Sequence, residues 1–325
     1  MKRRLVLVDG HAVVYRAYYA FPASLTTPEG VQINAVYGFL SILLNVIKEL
    51  RPSHIAVAFD LDKPTFRHKE YVGYKAQRPE TEKELKDQID KVRESVRVLN
   101  IPIFEIEGFE ADDVIGTLAR QGNKEKELEV VIATGDQDAM QLVNGVVKVY
   151  VPGRGKTPAK MYGIREVKER YDLEPKQIID LKALAGDQSD NIPGVKGVGP
   201  KTATDLLKKF LTVERVYADL DKSMKKGDIS EVVGKKLIDD YEEAVRGKRL
   251  ATIVTDVPIS LSLKECELHD YDKKKVVKYF EKLGFNSMIK RLPNDNWEQE
   301  TEEVFEEEKA EKQKKEDNSD QIGLF

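Results

Sequence analysis

Three short apolar runs, each followed closely by an aspartate, constrain the fold of this chain more than any other feature. The run over residues 5–8, in a strand predicted over residues 4–8, leads to Asp9, the run over residues 55–59 leads to Asp60, and the run over residues 130–133 comes just before Asp136. Runs of this length and composition predict buried strands, which are typical of a parallel sheet covered by helices. The carboxyl ends of parallel strands meet at one edge, where such proteins bind their ligands. The sequence therefore predicts an α/β fold with aspartates gathered at that edge.

A second set of acids is expected at the same edge. Glu110, Asp112 and Asp113 open a predicted helix, and Asp138 follows Asp136 by two residues, a spacing that points both aspartates to one side of an extended backbone. So many carboxylates repel one another unless a cation lies among them, and oxygen ligands suit Mg²⁺ or Mn²⁺. Each cluster alone also fits ordinary helix capping or turn chemistry. Their combination favours a metal site.

Bases and aromatic residues alternate in residues 64–79, PTFRHKEYVGYKAQRP, ahead of a highly charged helix predicted over residues 80–99. Such a mixture can hold phosphates and stack nucleobases, although a solvated loop explains it equally well. The residues of interest are Arg67, Tyr74, Lys75 and Arg78.

Residues 186–201, GDQSDNIPGVKGVGPK, combine two more carboxylates, Asp187 and Asp190, with a glycine-rich hairpin over residues 192–199. Glycines let backbone N–H groups approach a phosphate closely, and the start of the next helix favours anions. Such a hairpin can hold a duplex without reading its sequence, although glycine-rich connections between helices are common. The candidate DNA-binding residues here are Gly194, Lys196, Gly197, Gly199 and Lys201.

Charge is distributed unevenly along the chain. The formal net charge of the 325 residues is −4, but the stretch from Asn294 onward holds twelve acids and four bases, which leaves residues 1–293 with 49 bases and 45 acids. A net positive body suits a polyanionic partner. The single cysteine excludes an internal disulfide, no apolar run is long enough to span a membrane, and a cytoplasmic location is expected.

Three domains are expected from this patterning. Residues 1–175 form an α/β domain, residues 176–293 form a helical domain, and residues 294–325 form an acidic disordered tail. Helices are predicted over residues 34–50, 202–210, 231–245 and 276–283.

The chain resembles the 5′-nuclease domain of bacterial DNA polymerase I, within the flap endonuclease family. The segments that carry this resemblance are LVDGHAVVYRAYYAFP, AVYGFL, AFDLDKPTFRHKEYVGYKAQRP, GFEADDVIGTLA, ATGDQDAMQLV and GDQSDNIPGVKGVGPKTA. The likeness ends near Leu292 and no polymerase sequence follows, so a stand-alone nuclease is expected. The family's fold is a mostly parallel sheet flanked by helices, of the PIN-like type, with a helical arch and a helix–three-turn–helix module.

The resemblance also implies roles for these residues. One metal ion is expected near Asp9, Asp60, Glu110 and Asp112, a second is expected near Asp136, Asp138, Asp187 and Asp190, and Asp113 is expected between them. Tyr74, Lys75 and Arg78 fall in the arch segment and are expected to take part in catalysis. Arg67 and the hairpin residues are expected to bind DNA, and the hairpin is a candidate site for a monovalent cation such as K⁺.

Two-metal phosphodiester hydrolysis is the expected reaction. The expected substrates are 5′ flaps, nicked or gapped duplexes and RNA-primed DNA, met in replication and repair. Two alternatives remain at this point: a DNA-binding protein that has lost catalysis, and an RNA-cleaving toxin of the related PIN type.

The chain ends on QIGLF, which resembles the pentapeptide that binds the bacterial sliding clamp. Two terminal apolar side chains can fill a pocket, a third can fill a neighbouring pocket, and a glutamine can bond at the rim. A chance match of five loosely defined positions is the alternative. The residues expected to contact the clamp are Gln321, Ile322, Leu324 and Phe325.

Overall fold

A six-stranded sheet forms the centre of this computed structural model, which describes residues 3–153, 155, 157–268 and 271–292. The strands are β1 Arg3–Asp9, β2 His54–Ala58, β3 Ile103–Phe104, β4 Leu128–Ala133, β5 Val147–Val151 and β6 Lys160–Tyr162. Their order across the sheet is β3-β2-β1-β4-β5-β6, and every neighbouring pair is parallel except β5 and β6. The predicted mostly parallel α/β fold is confirmed.

Helices connect and cover the strands. They are α1 Gly10–Ala20, α2 Asn34–Leu50, α3 Phe66–Glu70, α4 Lys83–Val98, α5 Ala111–Gly122, α6 Ile164–Tyr171, α7 Gln177–Ala185, α8 Pro200–Phe210, α9 Val213–Ala218, α10 Leu220–Lys226, α11 Glu231–Asp239, α12 Tyr241–Ala251, α13 Leu263–Cys266, α14 Lys273–Lys282 and α15 Asn286–Ile289. A short 3₁₀ helix, Asp138–Leu142, follows β4. Among the described residues, no helix combines the length and apolar character needed to cross a bilayer.

Side-chain alternation along β1 builds a core on each face of the sheet. Val6 and Val8 pack into one core with α1, α2, α4 and α14, whereas Leu5 and Leu7 pack into the other with α5. All four side chains are at most 1% exposed. Burial on both faces explains why the first strand is a continuous apolar run.

A separate core holds the helical part of the chain together. Leu184 of α7, Val195 and Val198 of the hairpin, and Leu207 of α8 are buried in it, together with side chains of α9 and α11. The pairing of α7 and α8 around the hairpin gives the arrangement that the resemblance called a helix–three-turn–helix module.

Some predicted element bounds were wrong. The charged helix begins at Lys83 rather than at residue 80, and its apolar face packs on α2 through side chains such as Leu85 and Val92. The helix predicted over residues 231–245 is two helices, α11 and α12, which are separated at Asp240. The predicted tail, including the clamp-like residues 321–325, lies outside the described residues.

Candidate active site

Three predicted aspartates lie together at the carboxyl edge of the sheet. Asp9 is the last residue of β1, Asp60 lies two residues beyond β2, and Asp136 lies three residues beyond β4. These strands are neighbours in the order β2-β1-β4, so their ends converge. Glu110 and Asp112, at the start of α5, and Glu80, in the segment before α4, complete the acidic lining of a cavity of about 480 Å³.

Backbone and hydroxyl donors fix the Asp9 carboxylate at the start of α1. Its Oδ1 accepts from the Ala12 N–H at 2.9 Å, and its Oδ2 accepts from the Thr134 hydroxyl at 2.7 Å. The same hydroxyl accepts from the Asp136 N–H at 2.9 Å, which ties the ends of β1 and β4 together. Burial, reinforced by the charges of Asp60 and Asp136, raises the pKa of Asp9 to about 7. Burial also raises the pKa of Asp112, with the charges of Asp9 and Asp136 adding to the effect.

Asp60 is held between α5 and the start of α1. Its Oδ1 accepts from the Ala111 N–H at 2.6 Å, and its own N–H donates to His11 Nδ1 at 3.0 Å. Burial lowers the pKa of His11, so the ring is neutral. The 3.2 Å approach of His11 Nδ1 to Asp60 Oδ2 is therefore not an ion pair.

Glu110 and Asp113 have different surroundings despite their shared helix face. Glu110 Oε2 lies 3.0 Å from Lys75 Nζ at the cavity. Asp113 is fully buried, and its two oxygens accept from the Arg67 guanidinium at 2.7 and 2.8 Å. They also accept from the N–H groups of Glu110 at 3.1 Å and Val254 at 2.8 Å. Asp113 is thus a structural anchor, contrary to its predicted place between two metals.

Arg67 forms the ion pair with Asp113. Its side chain is 3% exposed, and its other N–H groups donate to the carbonyls of Leu250 and Thr252 at 2.9 and 2.8 Å and to Glu110 Oε2 at 3.5 Å. Such a guanidinium has no surface to offer a phosphate, which contradicts the prediction that Arg67 binds DNA. It instead joins α3 and α5 to the end of α12.

The predicted catalytic trio lies between the two groups of acids. The Tyr74 hydroxyl lies 3.0 Å from Glu110 Oε2 and 3.1 Å from Asp190 Oδ2. Burial and then these two charges raise the pKa of Tyr74 well above its usual value, so the hydroxyl remains a donor. Tyr74 is 3% exposed, which makes it a positioning residue rather than one that touches a substrate.

Lys75 and Arg78 line the cavity itself. Burial opposes the charge on Lys75, but Glu110 and Asp190 outweigh it and raise the pKa of the ammonium above its usual value. The Arg78 guanidinium donates to Asp190 Oδ1 at 2.6 Å. Both cations are therefore charged and held at the cavity by acids of the site.

Asp138, Asp187 and Asp190 form a second acidic cluster, in which one oxygen from each carboxylate lies within 4.8 Å of the others. The interpretation of Asp136 and Asp138 as alternate residues of an extended strand was wrong, because β4 ends at Ala133 and Asp138 opens the 3₁₀ helix. The Asp138 N–H donates to Asp136 Oδ1 at 2.9 Å. The chain therefore turns between the cavity and this cluster and contributes one aspartate to each.

Lys182, which sequence reasoning missed, contacts both Asp138 and Asp187. The pKa values of the two acids differ in spite of this shared contact. Burial raises the pKa of Asp138 to about 6 in spite of the lysine. Burial acts on Asp187 as well, but the lysine and two bonds from Ser189 overcome it and lower that pKa. A lysine five residues before Asp187 was the only sequence signal, and it resembles any polar position of a helix.

The glycine-rich hairpin projects from the end of α7. Gly194 has φ +60°, and an added Cβ would lie 2.2 Å from the Gly186 nitrogen, so only glycine fits this close approach. Val195 and Val198 anchor the hairpin in the helical core, and Lys196 and Lys201 are exposed. The remaining predicted residues of the hairpin are Gly197, which has φ +78°, and Gly199, the residue before α8.

Helix α11 holds the tip of this hairpin, which the sequence did not predict. Lys236 Nζ donates to the Gly197 carbonyl at 2.9 Å, and Asp240 accepts from the Lys196 N–H at 2.7 Å. The Lys196 side chain is left at the surface, where it can meet a phosphate.

The cavity has the donor set of a divalent-cation site. Six acids line it against two cations, Lys75 and Arg78, and burial, with a smaller contribution from neighbouring carboxylates, raises the pKa values of Asp9 and Asp112. Oxygen-only ligands with excess negative charge match the preference of Mg²⁺ and Mn²⁺. The arrangement can hold such ions beside two cations that attract phosphate.

Family models cover most of the chain. Residues 4–172 match the model of the 5′-3′ exonuclease N-terminal resolvase-like domain, and residues 173–274 match that of the 5′-3′ exonuclease C-terminal SAM fold. DNA polymerase I of Bacillus subtilis is 43% identical over 309 residues, which cover 94% of this chain and 34% of that protein. DNA polymerase I of Chloroflexus aurantiacus is 45% identical over 298 residues, covering 89% of this chain and 31% of that protein. This chain thus spans about a third of the length of these relatives.

Solved structures share the fold at lower identity. The flap endonuclease of bacteriophage T5, in a pseudo-enzyme-product complex with DNA and metal ions, has a TM-score of 0.61 and 21% identity, covering 94% of this chain and 98% of that one. The catalytic core of Rad2 in complex with a DNA substrate has a TM-score of 0.54 and 18% identity, covering 87% and 88%.

Proposed function

This chain belongs to the 5′-3′ exonuclease family, and on that premise we propose that it is a metal-dependent 5′→3′ exonuclease and flap endonuclease acting on DNA. The observation that carries the proposal is the cavity at the carboxyl edge of the sheet, where acids from three strand ends and from α5 face Lys75 and Arg78. Replication and repair are the processes in which such a nuclease would act, in the cytoplasm.

Two divalent ions, Mg²⁺ or Mn²⁺, are the proposed cofactors. The carboxylates proposed for the first are Asp9, Asp60, Glu110 and Asp112, and those for the second are Asp136, Asp138, Asp187 and Asp190. Asp113 is left out because Arg67 occupies both of its oxygens. When bound, such ions activate water and stabilise the leaving oxygen in phosphodiester hydrolysis.

The protein's own cations then position the scissile phosphate. Lys75 Nζ and the Arg78 guanidinium lie at the cavity, where each can attract a phosphate oxygen and offset charge that develops on it. Tyr74 supports this arrangement, because its hydroxyl spans Glu110 and Asp190 and so holds the acids that orient both cations. The expected products carry a 5′ phosphate and a 3′ hydroxyl.

The hairpin is the proposed grip on the duplex part of the substrate. Lys196 and Lys201 are exposed on either side of Gly197 and Gly199 and can contact successive phosphates. Proposed substrates are 5′ flaps, nicked or gapped duplexes and RNA-primed DNA. A K⁺ ion at the hairpin carbonyls is part of the same proposal, and it would share or replace the contact from Lys236 to Gly197.

The proposed domain division places the catalytic part in residues 1–175, the helical part in residues 176–293 and the tail in residues 294–325. The change from one family model to the next at residues 172 and 173 supports the first boundary. The bacterial sliding clamp is a further proposed partner, through Gln321, Ile322, Leu324 and Phe325.

Cleavage assays test this function. Wild type and Asp136→Asn are incubated with Mg²⁺ and matched flap, nicked and single-stranded substrates, in DNA and in RNA, with EDTA as the metal-free control. Wild type should release 5′ fragments from the flap, and the variant should lose several orders of magnitude of rate while binding DNA as well or better, because a repulsive charge is gone. Binding by wild type without cleavage would indicate a non-catalytic DNA-binding protein. Cleavage of single-stranded RNA alone would indicate a PIN-type ribonuclease.

A further inference from the structure

Lys182 occupies the centre of the second acidic cluster. Its ammonium contacts the carboxylates of Asp138 and Asp187, which are two of the three acids that lie within reach of a common cation. The side chains of Lys182, Asp138 and Asp187 are 11–19% exposed, so they are mostly buried but remain accessible to water.

The local fold holds the lysine in this position. Helix α7 ends three residues after Lys182, and its terminal carbonyl bond runs from the Gly186 N–H to the Lys182 oxygen at 2.9 Å. Gly186, with φ +77°, then turns the chain so that Asp187 faces back over the lysine. Asp138, at the start of the 3₁₀ helix, contacts the same ammonium.

The ammonium and a divalent ion need the same carboxylate oxygens. An ammonium directly bonded to Asp138 and Asp187 uses the lone pairs that an ion at this cluster would require, and like charges exclude one another at such distances. Lysine suits a displaceable role, because it is a single point charge on a flexible stem with rotatable donors.

We propose that Lys182 is an internal counter-ion that holds the second acidic cluster together before metal binds and that a divalent ion must displace. Lys182 thereby sets the metal affinity of this cluster. The inference rests on the proposed function for the assignment of Asp138, Asp187 and Asp190 to a metal. It assigns the lysine a positioning role that opposes binding of the ion rather than assisting it.

The first test measures Mn²⁺ binding to the full chain without DNA, by calorimetry and by the electron spin resonance of free Mn²⁺. Lys182→Met should bind the ion at this cluster about tenfold more tightly than wild type, because displacement of an ammonium is no longer required. In EDTA the variant should melt at a lower temperature than wild type, and Mn²⁺ should recover the difference. Unchanged or weaker Mn²⁺ affinity would overturn the inference.

Lys248 provides a matched control. Its ammonium likewise lies between two acids, Asp180 at 2.7 Å and Glu214 at 2.6 Å, but in the helical part of the chain and away from the cavity. Lys248→Met should also lower the melting temperature, yet it should leave Mn²⁺ affinity unchanged. A similar gain in affinity in both variants would reflect net charge alone and would contradict the specific role of Lys182.

A second test uses wild type and does not depend on the folding of a variant. Amine acylation followed by peptide mass spectrometry reports how accessible each lysine is. Saturating Mn²⁺ should speed the labelling of Lys182 several-fold, whereas Lys248 in the same digest should label at a constant rate. Labelling of Lys182 that is slowed or unaffected by Mn²⁺ would show that the lysine keeps its two partners.

These readouts separate the inference from the proposed function. If wild type cleaves flap substrates but Lys182→Met shows no gain in Mn²⁺ affinity, the inference fails alone. If Mn²⁺ binds and releases Lys182 while no nucleic acid is cleaved, the proposed function fails and the displacement stands.

Discussion

Arg67 and Asp113 show how a buried ion pair can resemble a functional site in sequence. Both residues belong to stretches that carry chemistry, yet their side chains are 3% and 0% exposed and bind each other through two short hydrogen bonds. Breaking such a pair from one side leaves an uncompensated buried charge.

Arg67→Met should therefore lower the free energy of unfolding by about 3–5 kcal/mol. Asp113→Leu should lower it by a similar amount, and the double variant should be less destabilised than the sum of the two, because neither charge is then left alone. Guanidinium denaturation of the four proteins gives the coupling energy. Mn²⁺ titration adds a check: if Asp113 ligates metal after all, its replacement will weaken Mn²⁺ binding at temperatures where Arg67→Met binds normally.

The raised pKa of Asp9 makes metal-free stability depend on pH. Its pKa is about 7 in the folded protein against 3.8 for the unperturbed group, so the folded state binds more protons between these values. Stability in EDTA should therefore fall as pH rises towards 8. His11, whose pKa is lowered, acts in the opposite direction, but only below about pH 6.5, where unfolded histidine gains a proton.

Thermal melts at pH 6.5 and pH 8.0 should separate these contributions. In EDTA, Asp9 alone should make the protein about 1 kcal/mol less stable at pH 8.0. With Mg²⁺ the protein should be at least as stable at pH 8.0 as at pH 6.5, because metal binding requires deprotonated ligands and strengthens as protons leave. Asp9→Asn should reduce the difference in EDTA, with the buried Asp112, whose pKa is also raised, acting in the same direction, and a metal-free protein that is equally stable at both pH values would contradict the shift.

Among the elements, the hairpin between α7 and α8 offers a direct test of the duplex grip. Replacing Lys196 and Lys201 with alanine should weaken binding evenly across DNA sequences. It should also flatten the plot of log affinity against log salt by up to ~2 units, since each lost phosphate contact contributes about 0.9. Gel-shift or anisotropy titrations at several salt concentrations measure this slope on a flap substrate.

Lys124 and Lys126 supply a control for that experiment. They are exposed in the turn before β4, at the edge of the sheet opposite the strand ends that form the cavity. Changing both to alanine removes the same charge but should leave the slope intact. Equal flattening in the two pairs would mean that net charge, rather than the hairpin, governs binding.

The sequence predicted an element correctly where burial of apolar side chains determines it. Strands β1, β2 and β4 contain the apolar runs 5–8, 55–58 and 130–133, because both faces of the sheet are covered there, and α2 was predicted with its observed bounds. The short strands β3 and β6 were missed, because two or three residues carry no periodic signal. Asp240, at the split between α11 and α12, accepts a tertiary hydrogen bond from the Lys196 N–H, a contact that a local pattern cannot contain.

The site was predictable to a similar extent. Carboxylates after buried strands identified the cavity, because parallel topology alone brings strand ends together. The sequence does not show which charged side chains are buried or paired with each other, so Asp113 and Arg67 were predicted to have functional roles. The sequence also does not show that the chain turns after Ala133. For that reason Asp138 was predicted to point to the same side of the backbone as Asp136. Lys182 escaped notice because its two partners come from different parts of the chain.

At the scale of the whole molecule, a pair of hydrogen bonds near the site helps to join the sheet to the helical module. The Lys75 N–H donates to the Asp190 carbonyl at 3.0 Å, and the Asn191 amide donates to the Gly73 carbonyl at 2.6 Å. Lys75 and Asn191 both adopt positive φ, +54° and +56°, which lets the two segments meet closely. Because Tyr74 and Arg78 also bond to Asp190, the phosphate-attracting cations are joined directly to the second acidic cluster.

The last five residues carry a prediction about recruitment. A peptide covering residues 319–325 should bind the bacterial sliding clamp with micromolar affinity, and Leu324→Ala combined with Phe325→Ala should abolish the interaction, because the two side chains that fill the apolar pocket are lost. Calorimetry with purified clamp measures both peptides. In the full chain the double change should leave cleavage of free flaps untouched, since neither residue is among those proposed to bind metal, phosphate or the duplex.

Tethering to a clamp raises the local concentration of the nuclease at a primer junction without any new contact in the active site. Clamp loaded on a flap substrate should therefore stimulate wild type at low enzyme concentration, and the stimulation should disappear in the double variant and at saturating enzyme. Reversing the order of residues 321–325 preserves composition and charge and should behave like the double variant. Equal stimulation of all three proteins would show that recruitment, if any, uses another surface.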